Sequence, residues 1–242
     1  DWELAGDIGT SLELLGNELK GYHYSGEYEE RIKKDLNVKL FVEGADDAGY
    51  PLKPRRIVAD CRKALGKEDI LCLDNGIYKL WFSRHYEAYN IGTFLLDNTL
   101  ATMGAGLPSA MTSKLVHPKK KVLAVVGDGG FMMNSQELET AVRLGLNVGV
   151  LILNDNAFGF VKWKQQAYGY EDFALDYGNP DFVKYAESYG SKGFKINSAD
   201  ELLPMLKKAF REKGPVVVEC PIDYSENKRV FSEELEDLSC PI

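Results

Sequence analysis

The chain has 242 residues, 45% hydrophobic and 27% charged, a composition ordinary for a globular domain with a full core. Its formal net charge of −8 argues against nucleic acid as a partner, because affinity there comes from neutralising phosphates. No apolar run approaches the ~20 residues needed to span a membrane, and no secretory signal opens the chain.

In chain order, residues 1–22 place Leu12, Leu15 and Leu19 along one side of a short helix. Residues 23–53 are charged and glycine-bearing and read as a connection, with EYEERIKKD as a helix inside it. From Pro54 the pattern is regular. Pro54 opens a helix whose face carries Ile57, Val58, Cys61 and Leu65, and Gly66 follows its end. DILCLD is a strand, Asn75-Gly76 the turn after it, and IYKLWFSRHY a helix in which His85 has a surface or packing role. TFLLDNTLATMGAGLPSA reads as strand, turn and helix.

KVLAVV is the next strand, ending at Gly127-Asp128-Gly129-Gly130; a helical pattern follows, then the strand VGVLIL, ending at Asn154-Asp155-Asn156. Ala157 to Tyr168 is predicted helical. Asn179-Pro180 is predicted to cap a helix ending at Gly190, and GFKI is a strand. Ser198 and Glu201 form a capping box for a helix from Ala199 to Lys213, which Gly214 ends. VVVEC is the last strand, and 226–242 is a polar, acidic tail. The elements of 54–225 predict an α/β domain: a doubly wound, mostly parallel sheet of about six strands with helices on both faces. Cys61, Cys72, Cys220 and Cys240 lack metal-type spacing and read as reduced, mostly buried thiols of a cytosol-like compartment.

In a parallel βαβ unit both turns lie at the carboxyl edge of the sheet, where ligands bind. Asp128 and Asp155, 27 residues apart (155 − 128), are thereby predicted to sit side by side. Either turn alone is an ordinary loop. Together, two carboxylates beside glycine amides suit a magnesium ion that shares its oxygen ligands with a diphosphate. Gly129 and Gly130 allow close backbone approach and offer N–H groups at a helix start.

GDG followed about 25 residues later by an N-D/N pair resembles the cofactor signature of thiamine-diphosphate-dependent enzymes. ELETAVRLGLNV, NPDFVKYAESYG, GPVVVECPIDYSEN and TMGAGLPSA resemble the acetolactate synthase branch, from about Pro54 to Asn227. The resemblance implies Mg2+ held by Asp128, Asp155 and the Ala157 carbonyl. It implies thiamine diphosphate at Gly76, Tyr78, Gly127, Gly129 and Gly130, with Met103 as an apolar wedge beneath it and the Ala101 carbonyl as an acceptor for its aminopyrimidine. The turn at Gly76 departs from the family, whose polar side chains there, commonly including a histidine, are replaced by Ile77 and Tyr78. Phe158 and Phe160 are candidate pocket walls, and Trp163 and Lys164 candidate determinants of acceptor choice. Trp163 stands one residue before the family's tryptophan position, nearer the catabolic type.

The implied activity decarboxylates pyruvate and joins the two-carbon unit to a second 2-keto acid. Another thiamine-diphosphate-dependent decarboxylase of 2-keto acids or of oxalyl-CoA type, or a non-catalytic cofactor-binding module, is the alternative. By the same resemblance, residues 1–22 are the remnant of a preceding middle domain. The activating glutamate is expected in the pyrimidine-binding domain of a neighbouring subunit, within a cytoplasmic homo-oligomer. The resemblance also allows FAD in a full-length parent, bound elsewhere in that family.

Overall fold

The structure, a computed structural model, describes residues 5–23 and 26–233. Residues 1–4, 24–25 and 234–242, Cys240 among them, lie outside the described residues. The chain divides into two units, residues 1–39 and 40–242.

In the first unit, α1 (Ile8–Glu18) starts at Asp7, whose carboxylate accepts the Thr10 N–H at 2.9 Å. After it, α2 (Glu27–Asn37) begins at Gly26, in the left-handed region at φ +70°. Neither helix buries a residue, and Leu12, Leu15 and Leu19 are exposed.

The second unit is built on six parallel strands: β1 (Ile70–Leu73), β2 (Phe94–Leu96), β3 (Val122–Gly127), β4 (Gly149–Asn154), β5 (Lys192–Lys195) and β6 (Val216–Pro221). Their spatial order is β2-β1-β3-β4-β6-β5. Alternate residues face opposite sides, and both sides are apolar. Leu71, Leu73, Leu123, Val125, Leu151, Val216 and Val218 face one core, shared with α3 (Pro54–Ala64), α4 (Tyr78–His85) and α10 (Leu202–Ala209). Cys72, Val122, Ala124, Val126, Val150 and Ile152 face the other, shared with α5 (Gly106–Val116), α7 (Glu137–Arg143) and α9 (Phe182–Ser188). Two short elements complete the set: α6 (Asp128–Met133) and α8 (Gly159–Ala167). Cys61, Cys72 and Cys220 are free and buried.

The order in which strands are added to the sheet reverses between β1 and β3, since β2 lies on one side of β1 and every later strand on the other. The carboxyl ends of β1 and β3 therefore flank the crevice where an open α/β sheet binds ligands.

Three local expectations change. The helical pattern after Gly130 is two helices, because Asn134 turns to donate to the Gly104 carbonyl (2.8 Å) and Ser135 bonds Tyr185 (2.8 Å). Ser198 makes no capping bond: a 3-10 turn, Ala199–Glu201, precedes α10, and Glu201 accepts the Asn197 N–H. The cap of α9 is Asp181, which accepts the Lys184 N–H (3.1 Å), and Asn179 is engaged elsewhere. Beyond Ser225 the chain still packs: Asn227 and Val230 are buried, and Phe231 meets Trp81 edge-on at 4.7 Å. Among the described residues no helix is long and apolar enough to cross a membrane.

Candidate active site

The carboxyl ends of β1, β3 and β4 surround a partly open cleft whose cavity volume is about 50 Å³. Its walls include Gly76, Tyr78, Met103, Gly127, Asp128, Gly129, Gly130, Asp155, Ala157, Phe158 and Phe160. Eleven of the fourteen candidate residues thus converge there. Ala101, Trp163 and Lys164 are not among the walls.

At the end of β1, Asp74 is fully buried and accepts N–H groups from Asn75 (2.7 Å), Gly104 (3.0 Å) and Ala105 (3.3 Å). Asn75 Nδ2 donates to the Thr102 carbonyl at 2.9 Å. Two consecutive residues therefore grip the backbone on both sides of Met103 and hold its side chain in the cleft. Ala101, at φ +50°, bends the chain two residues earlier.

Tyr78 fills the gap between the first two turns. A Cβ on Gly76 would collide with its ring, and one on Gly127 would stand 3.0 Å from it. Its hydroxyl accepts the Gly127 N–H at 2.9 Å, leaving its own proton free to donate. Burial pushes its pKa well above the ordinary tyrosine value, so the hydroxyl stays neutral.

The glycines of α6 have packing reasons beyond backbone freedom. A Cβ on Gly129 would stand 2.5 Å from the Tyr177 hydroxyl, and one on Gly130 would stand 2.7 Å from Asp74 Oδ2. The Gly129 N–H is not open to an anion, because it donates to Asp128 Oδ1 at 2.8 Å.

Parallel pairing of Gly127 with Leu153 brings Asp128 and the turn after β4 together. The Asn156 N–H, from a residue at φ +54°, donates to Asp128 Oδ2 at 2.8 Å. Burial raises the Asp128 pKa, opposed by hydrogen bonds from Asn179, Gly129, Tyr177 and Asn156. Asp155 is pushed up to about 7, first by burial and then by the Asp128 charge. Lys162 lowers it only slightly, being paired with Asp172 and Asp176. A buried carboxylate whose charge raises the pKa of a half-buried one beside it calls for a cation. Among the described residues no cluster of three or more His, Cys, Asp or Glu gathers to ligate a metal. The cleft wall carries Asp128, Asp155 and Ala157, whose available donors are two carboxylates and a backbone carbonyl, all oxygens. They fit a hard ion such as Mg2+ that completes its shell with phosphate oxygens and water.

A segment invisible to motif reading closes this corner. The Phe158 N–H donates to the Leu175 carbonyl (3.0 Å) and the Tyr177 N–H to the Asn156 carbonyl (3.2 Å). Tyr177 and Asn179 thereby reach Asp128 at 2.9 and 2.6 Å. Tyr224, from the chain after β6, also lines the cleft. No fixed spacing relates these residues to either aspartate; Asn179 and Tyr224 fall in stretches that carry the family resemblance, but nothing in those stretches points to the cleft.

Trp163 sits one layer out, its ring 5.9 Å from Phe160 and 6.3 Å from Phe231, with Lys164 Nζ 4.9 Å above it. His85 is buried, donating from Nδ1 to the Leu40 carbonyl (2.8 Å) and stacked on Trp81, which is a packing role.

An open parallel sheet with paired aspartates and glycine turns at its switch point is the architecture of a diphosphate-binding α/β domain. Residues 74–220 match the family model described as "Thiamine pyrophosphate enzyme, C-terminal TPP binding domain", and the chain belongs to that family. Within it, the chain is 34% identical to the acetolactate synthase of Bacillus subtilis (strain 168), over 97% of this chain and 42% of that protein. It is 35% identical to the catabolic acetolactate synthase of Raoultella terrigena, over 96% of this chain and 42% of that protein. The chain thus spans less than half the length of these relatives. Among solved structures, the Rhodococcus jostii RHA1 thiamine diphosphate-dependent 4-hydroxybenzoylformate decarboxylase superposes with a TM-score of 0.71. The match has 24% identity and covers 76% of this chain and 35% of that one, a likeness of fold.

Proposed function

We propose that this chain carries the metal and diphosphate half of an acetolactate synthase-like active site. The activity is decarboxylation of pyruvate and transfer of the two-carbon unit to a second 2-keto acid. The observation that carries the reading is the pairing of Asp128 and Asp155 in one cleft with Met103, in a chain 34–35% identical to acetolactate synthases across nearly its whole length.

In this reading Asp128, Asp155 and the Ala157 carbonyl would hold Mg2+, whose charge would offset that of the two carboxylates and of a diphosphate. The Tyr78 hydroxyl offers a neutral donor where Ile77 offers none. Thiamine diphosphate, when bound, supplies the electron sink that decarboxylation of a 2-keto acid requires. Met103, Leu153, Phe158 and Val161 line the cleft with apolar surface and keep water from the reacting groups. Among the described residues lining the cleft there is no glutamate. The group that activates the aminopyrimidine is accordingly assigned to a pyrimidine-binding domain, supplied by a neighbouring subunit of a homo-oligomer. Exposed Phe160 and Val161, consecutive residues at the rim of the cleft, offer apolar surface suited to such a neighbour. Trp163 and Lys164 act on acceptor choice through Phe160. Unpaired buried cysteines suit a reducing, cytosol-like compartment.

The test is calorimetric titration of the purified chain with Mg2+ and thiamine diphosphate, followed by product analysis with pyruvate. The expected result is cofactor binding by the chain alone, and acetolactate only when a pyrimidine-binding domain is supplied. Absence of cofactor binding overturns the proposal, and acetaldehyde as sole product assigns the site to a simple decarboxylase.

A further inference from the structure

Asp128 accepts four hydrogen bonds. Oδ1 takes the Gly129 N–H (2.8 Å) and the Tyr177 hydroxyl (2.9 Å), and Oδ2 takes the Asn156 N–H (2.8 Å) and Asn179 Nδ2 (2.6 Å). A carboxylate offers about four lone-pair sites. The group is saturated, so a cation that binds it must take the place of one donor.

The four donors are not equally replaceable. The two backbone amides belong to the turns themselves. The Tyr177 hydroxyl has a second acceptor within reach, the Ala157 carbonyl at 3.2 Å, whose two lone pairs leave one for the hydroxyl when the other faces a cation. Asn179 is tied from behind. The same amide nitrogen contacts Asn154 Oδ1 and Asn156 Oδ1, each at 3.1 Å. Asn154 donates to Glu219 Oε1 at 2.8 Å, and Lys195 Nζ donates to that same oxygen at 2.8 Å. Glu219 is buried, and Lys195 is its register partner on the neighbouring strand. A continuous polar line therefore crosses the carboxyl ends of β5, β6 and β4 and ends on the aspartate that follows β3.

We infer that Asn179 is a positioning residue for the metal. Backed by Asn154, Glu219 and Lys195, it fixes Asp128 Oδ2, so that Oδ1 is the oxygen presented to a divalent cation and Tyr177 is the donor that yields. The inference rests on the proposed reading of Asp128 as a metal ligand. It adds a residue outside both turn motifs, 51 positions further along the chain. Outer partners of metal ligands, when removed, reduce metal affinity by about 10–100-fold.

The experiment titrates Mn2+ alone into the purified chain, reading free ion by its paramagnetic resonance signal, at temperatures well below each variant's unfolding transition. Asn179→Ala is expected to weaken Mn2+ binding by about tenfold or more. Tyr177→Phe, which removes only the yielding hydroxyl, is expected to bind as tightly as the parent or more tightly. A role in general loop packing would move both variants the same way. Asn179→Ser serves if the alanine variant does not fold, with the same expected direction. Binding by Asn179→Ala or Asn179→Ser within about twofold of the parent, or an equal loss in Tyr177→Phe, overturns the inference. Asp128→Asn is the control that separates the two levels. If it binds Mn2+ like the parent, the metal reading itself fails, and Asn179 has no ligand to position.

Discussion

Gly159 stands directly against Asp155: a Cβ built on the glycine would collide with the carboxylate oxygen Oδ2. The helix after this turn therefore starts at a residue without a side chain, because the carboxylate occupies that space. Gly159→Ala is expected to leave the fold intact and displace Asp155. Misplacement of a site group by about 1 Å can cost up to ~100-fold. The expected outcome is Mg2+–thiamine diphosphate binding weaker by about tenfold or more, measured by calorimetry beside an unchanged far-ultraviolet spectrum.

Asp128→Asn and Asp155→Ala each remove a carboxylate from the pair in the cleft. Loss of a charge-assisted contact costs about 1.5–3 kcal/mol, or roughly 10–100-fold in affinity. Both variants should need correspondingly more Mg2+ to saturate cofactor binding. An unchanged magnesium requirement in both removes them from the metal site.

His85 predicts an acid limit to stability. Burial first, then the Arg55 and Arg84 charges, lower its pKa from 6.5 to about 4, and its hydrogen bond to Leu40 offsets only part of that. The folded pKa lies below the unfolded one, so the unfolded chain takes up a proton first as the pH falls. The contribution is fully present above about pH 6.5 and is lost progressively down to about pH 4. A tenfold change in proton affinity is worth ~1.4 kcal/mol, so the loss is on the order of 3 kcal/mol. His85→Gln, which does not titrate, should show a flatter fall in urea-unfolding free energy between those limits. Parallel curves for the two proteins would refute the assignment.

Trp81 ties the chain after β6 to the domain. Its ring is fully buried, and its Nε1–H donates to Asn227 Oδ1 at 2.7 Å. Trp81→Phe keeps most of the apolar contact but leaves a buried amide oxygen unpaired, a cost of about 1–3 kcal/mol. Trp81→Ala adds a cavity and should cost about 3–5 kcal/mol. Equilibrium urea unfolding measures both, and a larger loss for the phenylalanine variant would contradict the packing described.

What the sequence by itself determined is the part written in local pattern. Apolar runs such as KVLAVV and VGVLIL, punctuated by glycine and by Asn-Asp, specify strands and turns, because burial on both faces demands continuous apolar residues. Parallel connection then places Asp128 and Asp155 at one edge, whatever the details of packing. Only the tertiary structure decided what surrounds them. Asn179 looks like the start of a helix cap, yet the return of the chain over Asn156 and Phe158 brings its amide to Asp128, and Asp181 does the capping instead. Gly129 and Gly130 read as anion-binding turn residues, but Tyr177 and Asp74 fill the space where side chains would be. Such contacts join residues separated by tens of positions through packing of whole elements, and no spacing rule along the chain encodes them.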